Sequence, residues 1–166
     1  MIDRRWFLGV CAAGSVSTLW ASSQKETIEK TDDIYHIIEA VQEHLFPQGS
    51  LLPSARTFHA TQFLIETIMH PTYDRDIRKF VIEGAGELHN REEQHFLTYD
   101  VQQKEKALRD YEKTGYGSGW LDRVMLLSFE GLLSDPLYGG NFDQSGWNTL
   151  KTKGGDPRPV TQYIAL

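Results

Sequence analysis

Cysteine is nearly absent: the chain of 166 residues has one, Cys11, and it stands close to the N-terminus. The body beyond residue 23 therefore holds no disulfide, no thiolate nucleophile, no Cys-ligated zinc or iron–sulfur cluster and no Cys-x-x-Cys-His haem attachment. Long apolar runs are missing too. The modestly apolar run Gly9 to Trp20 is short and rich in Gly, Ser and Thr, too little for a membrane span. No Walker loop, no Gly-x-Ser-x-Gly elbow and no His-Glu-x-x-His zinc motif occurs. Gly115-x-Gly117-x-Gly119 follows no strand pattern, so it is not read as a dinucleotide loop. Positive charge is scarce: the formal net charge is −6, and residues 1–23 contribute +1 of it through Arg4, Arg5 and Asp3, which leaves −7 on the rest. An acidic body argues against nonspecific binding to nucleic acid or anionic lipid.

What is present begins with Arg4-Arg5-Trp6-Phe7-Leu8 and the modest apolar run after it. Paired arginines, Phe7-Leu8 and small residues read as a secretory leader of the twin-arginine type over residues 1–23. Arg4, Arg5, Phe7 and Leu8 are its candidate signal residues. Ala21-Ser22-Ser23 is small but not Ala-x-Ala, so an uncleaved leader serving as an anchor stays open. So do a basic start to a buried helix and lipid attachment at Cys11. Residues 24–30 read as a solvated linker.

Residues 31–133 are organised as helices, and an all-α bundle of about five is expected. Thr31 offers a cap with Asp32 and Asp33 behind it. Ile34, Ile37, Ile38, Val41 and Leu45 then form one helical face that Pro47 ends. A second helix is expected over 55–69 and a third over 73–89, the latter with Ile77, Phe80, Val81, Gly84 and Leu88 on its stripe. Thr98 is the expected cap of a charged fourth helix reaching Lys113. Gly115 to Gly119 reads as a turn. The fifth, 120–133, is apolar most of the way round, which places it centrally or under a partner. No helix is expected after Leu133, only a long irregular arm over 134–166. Such an arm suits an ordered binding segment, laid on another protein, wrapped on its own bundle, or both.

The sharpest chemical candidate is Glu92-x-x-His95, a spacing that on a helix aims a carboxylate and an imidazole from one face. With Glu66 and His70 it suggests a metal site of di-iron type, although no second Glu-x-x-His exists. Solvated charges at a helix end are the simpler reading. The six histidines, His36, His44, His59, His70, His89 and His95, form no zinc motif.

In the arm, Asp135-Pro136-Leu137-Tyr138-Gly139-Gly140-Asn141, then Gly146-Trp147, then Gly154-Gly155-Asp156-Pro157-Arg158-Pro159 resembles the C-terminal signature of the gluconate 2-dehydrogenase subunit 3 family. These are the small, or gamma, subunits of periplasmic flavin-dependent gluconate and sugar dehydrogenases. The resemblance extends to the Arg-Arg leader and to Leu45-Phe46-Pro47 after the first helix. It implies a non-catalytic chain that carries no cofactor. Its partner would be a large FAD-dependent dehydrogenase that passes electrons to a cytochrome c subunit, with haem c in that third subunit, or to the quinone pool. The small subunit's leader would take the folded pair through the twin-arginine translocase to the periplasm. The complex, or an uncleaved leader, would hold it at the inner membrane. Trp120, Tyr138, Gly139, Gly140, Asn141 and Trp147 are the candidates for shaping or contacting the partner surface. The alternative is an independent periplasmic helical metal-binding protein using Glu92, His95 and Glu66.

Overall fold

The computed structural model describes residues 33–162, all helix, turn and loop. The leader residues Arg4, Arg5, Phe7 and Leu8, the linker and the Thr31 cap lie outside the described residues. Among the described residues six α-helices follow in order: α1 (33–45), α2 (Ala60–Met69), α3 (Arg75–Arg91), α4 (Val101–Glu112), α5 (Gly115–Leu133) and α6 (Ser145–Leu150). This is the expected small all-α bundle. Among the described residues no helix is long and apolar enough to cross a membrane.

Helix α5 is the axis on which α2, α3, α4 and α6 pack. Its inner face, Trp120, Val124, Leu127 and Leu132, is fully or almost fully buried. Trp120 is the largest side chain in the core, and its place is made by Gly84 of α3. A Cβ at Gly84 would collide with the indole ring. The indole Nε1 donates to the Val81 carbonyl at 2.9 Å, and Tyr111 of α4 donates its hydroxyl to the Gly84 carbonyl at 3.1 Å. Three helices are thus fixed at one point where the glycine that weakens α3 locally lets two aromatic rings approach its backbone.

Helix α1 is joined to this axis by a buried polar group. Gln42 is wholly enclosed. Its amide nitrogen donates to Ser128 Oγ at 2.9 Å, and its oxygen accepts from Thr61 Oγ1 at 2.8 Å. Ser128 Oγ in turn donates to the Val124 carbonyl at 2.7 Å. Each member has a partner, so the network fixes how α1, α2 and α5 align without stranding a buried dipole.

Four boundaries differ from expectation, each for a local reason. The second helix starts at Ala60, not near residue 55. His59 takes a left-handed conformation (φ 61°), and the turns before it tuck Phe58 into a cluster with Phe46, Ala55, Ala60 and Leu132. The third helix starts at Arg75, because Asp74 accepts from the Asp76 and Ile77 amides. The cap of α4 is Asp100, which forms a reciprocal capping box with Gln103; Thr98 ends a short 3-10 turn instead. The glycine run 115–119 is helical, not a turn. Thr114 Oγ1 accepts from the Gly117 amide at 2.9 Å, and the bare face of Gly117 lies on the Tyr111 carbonyl. Close packing there outweighs the poor helix propensity of glycine.

Candidate functional site: an apolar groove beside a folded arm

The arm after Leu133 folds back on its own bundle, and it contains α6, which sequence periodicity did not reveal. Asp135 starts the return by accepting from the Leu137 amide at 3.0 Å. Pro136–Tyr138 makes one 3-10 turn. Gly139 then takes φ 89°, a left-handed angle that an L side chain resists. Gly140 lies against the Gly131 carbonyl of α5, with no room for a Cβ.

Asn141 is the hub. It is fully buried. Its Nδ2 donates to the Ser134 carbonyl at 2.9 Å and its Oδ1 accepts from the Gly146 amide at 2.8 Å. One side chain therefore ties the end of α5 to the start of α6. Trp147 follows, also buried, with its Nε1 donating to the Leu133 carbonyl at 2.9 Å. Two of the carbonyls left open at the end of α5 are thus satisfied by the arm. Arg158 closes the clasp: its guanidinium sits 4.5 Å from the Trp147 ring centroid and pairs with Asp135 at 2.5 Å. That pairing holds the Asp135 carboxyl below the usual carboxylate range.

Of the six residues expected to shape or contact a partner, Trp120 lies in the bundle core, and Gly140, Asn141 and Trp147 lie inside the clasp. Only Tyr138 and Gly139 stand at its partly exposed rim. Trp120, Gly140 and Asn141 are enclosed, and the edge of Trp147 lines a shallow depression with Leu133, Tyr138 and Pro157.

Next to the Tyr138 side of the clasp lies a groove of about 700 Å³ beside α2 and α5. Phe63 and Thr67 of α2 form one wall, and Leu126, Phe129, Glu130 and Leu133 of α5 the other. His70, Thr72 and Tyr73 close one part, and Ser134 and Tyr138 another. Leu126 and Leu133 each keep 47 % of their surface exposed and Phe129 keeps 39 %. Contiguous apolar exposure of this kind marks an interaction site more often than isolated apolar residues do. Burial in the groove wall pushes the Tyr73 hydroxyl up, against the nearby Arg123 charge. Among the described residues Glu130 is the one carboxylate in the lining.

The liners Phe63, Tyr73, Leu126, Phe129 and Leu133 were not singled out from sequence as site residues. The usable signal was the excess of apolar residues round 120–133: one face suffices for the core, and the surplus is the groove wall.

The proposed metal constellation does not assemble. Helix α3 ends at Arg91, Glu92 is its C-cap, and Glu93 and Gln94 have positive φ. Glu92 and His95 therefore share no helical face. Glu66 lies on α2, where it accepts from Gln62 at 2.9 Å and Gln162 at 3.1 Å, and His70 bonds Thr72 at 2.8 Å. Among the described residues, no three His, Cys, Asp or Glu side chains stand close enough to hold a metal ion.

No family model matches the chain, and neither the curated proteins nor the solved structures give a match.

Proposed function

We propose that this chain is a non-catalytic accessory subunit of a periplasmic FAD-dependent gluconate or related sugar dehydrogenase. In this reading it supports assembly of the large flavoprotein, and its twin-arginine leader exports the pair. The observation that carries the reading is the partly exposed apolar wall Leu126, Phe129 and Leu133 beside the folded arm. A lone helical domain gains nothing from keeping three large apolar side chains in water, whereas a subunit that buries them on assembly does.

The signature residues support it from a second side. Asp135, Gly139, Gly140, Asn141, Trp147 and Arg158 are spread along the arm and meet in one clasp at the end of α5. A motif of that resemblance thus has a local task here: it fixes the rim of the groove. The chain brings no catalytic group of its own to the reaction. FAD belongs to the large subunit and haem c to a cytochrome subunit where one is present.

Co-expression tests this with a large FAD-dependent dehydrogenase from the same genome neighbourhood. Native chain is expected to place flavoprotein and dehydrogenase activity in the periplasm. The Arg4→Lys/Arg5→Lys chain is expected to leave both in the cytoplasm. Export of active flavoprotein in the absence of this chain would overturn the reading.

A further inference from the structure

We infer that the groove takes a two-turn stretch of an amphipathic helix of the large flavoprotein. Its apolar side chains sit along Leu126, Phe129 and Leu133, and a lysine or arginine beside them pairs with Glu130. This rests on the accessory-subunit reading and states which kind of partner segment the groove takes. Both walls have the period of a helix. Leu126, Phe129 and Leu133 stand at i, i+3 and i+7 on α5, and Phe63, Thr67 and His70 stand at i, i+4 and i+7 along α2 and its C-cap. Each wall is therefore about 10 Å long at 1.5 Å per residue. The two helices touch closely beside it: a Cβ on Gly131 would lie 2.9 Å from the Phe63 ring, and Phe63 is almost fully buried. The groove is thus the trough between two packed helices, a shape that a third helix fills by setting its own ridge of side chains between theirs.

The walls also decide the occupant's backbone. Helices α2 and α5 use their backbone donors and acceptors internally, and the described residues include no strand whose edge an extended segment could join. An extended segment would bury amides against apolar side chains without partners, whereas a helix satisfies its own. Charge decides the flank. Glu130 follows Phe129 at the middle of the α5 wall, is exposed, and pairs with no basic side chain among the described residues. A basic residue next to the occupant's central apolar side chain answers that carboxylate, and the apolar contacts around it keep water from the pair. A second copy of this chain fits worse. A two-fold contact through α5 would set one Glu130 against the other, in a chain that already carries a net −6.

The test uses the full chain co-expressed with the flavoprotein. The photoreactive residue benzoylphenylalanine replaces Leu126 or, as a control, Val101, which is exposed on α4. Irradiation is expected to join position 126 to one flavoprotein segment, several-fold more than position 101. Mass spectrometry is expected to find in that segment apolar residues at i, i+3 or i+4, and i+7, with Lys or Arg beside the central one. Glu130→Lys is expected to weaken the complex about tenfold, with helical circular dichroism unchanged. Exchanging the basic residue of the crosslinked segment for Glu is expected to restore it to within about threefold of the native pair. A complex that forms without a crosslink at 126 overturns the inference. So does a crosslinked segment that lacks the helical spacing or the basic residue, a crosslink at 126 only between two copies of this chain, or a Glu130→Lys chain that binds as tightly as the native one. In each of those cases the flavoprotein still co-purifies, so the accessory-subunit reading stands. Failure of the native chain and the flavoprotein to associate at all overturns both.

Discussion

Asn141 does at the residue scale what a backbone turn alone could not. It sits at φ 45°, ψ 40°, a left-handed position that asparagine tolerates because its short amide can bond locally. Here the amide bonds both sides of the turn at once. Asn141→Ala would strand the Gly146 amide and the Ser134 carbonyl. A loss of about 1–3 kcal/mol is expected, read from the midpoint of urea unfolding. Trp147→Ala removes the packing under the arm and the bond to Leu133, and about 3–5 kcal/mol is expected on the same measurement. The Asp135–Arg158 pair adds a pH dependence with a definite sign. The Asp135 pKa is lowered in the folded chain by Arg158. Its contribution is therefore fully present above the ordinary carboxylate pKa and is lost as pH falls through the lower folded value. Acid titration of thermal stability should show a steeper loss over that window in the native chain than in Asp135→Asn. Identical profiles would mean that the pair contributes nothing to holding the arm.

At the element scale the glycines of α3 separate two effects that sequence composition confounds. Gly84 is pressed against Trp120, while a Cβ at Gly86 would meet nothing. Gly84→Ala is expected to destabilise by about 1–3 kcal/mol through overpacking. Gly86→Ala is expected to stabilise by up to about 1 kcal/mol through helix propensity. Thermal melts of the two variants check both signs.

The same scale shows what was legible in the sequence. The apolar stripe of α1 and the stops at Pro47 and His70-Pro71 are local signals, and the helices obey them. The start of α5 was not legible, because Gly115–Gly119 is a poor helix sequence that forms one only with Thr114 as cap and Tyr111 beneath it. Helix α6 was hidden for a similar reason. Six residues carry little periodicity, and Trp147 and Asn141 hold them in place through bonds to α5 that sequence spacing does not display. The groove was half legible. Surplus apolar residues on 120–133 announced a wall, but the facing residues Phe63 and Thr67 depend on how α2 lies on α5. That alignment is set by the long-range network of Gln42, Thr61 and Ser128.

At the scale of the whole molecule, the features form one design. A tightly keyed bundle holds α5 so that its inner face makes the core and its outer face makes a groove wall. The arm, clasped by Asn141, Trp147 and Arg158, makes the rim. The most direct measurement is co-purification of the large FAD-dependent dehydrogenase with the native chain and with Leu126→Asp/Phe129→Asp. Leu126 is about half exposed, whereas Phe129 also packs edge-on against Phe46 at 5.3 Å, so Leu126→Asp alone is the milder companion variant and the melt of each is measured beside its binding. A stable complex carrying FAD is expected with the native chain, and its loss with the groove variant while helical content is retained. A groove variant that still binds the flavoprotein and supports its activity as well as the native chain would contradict it.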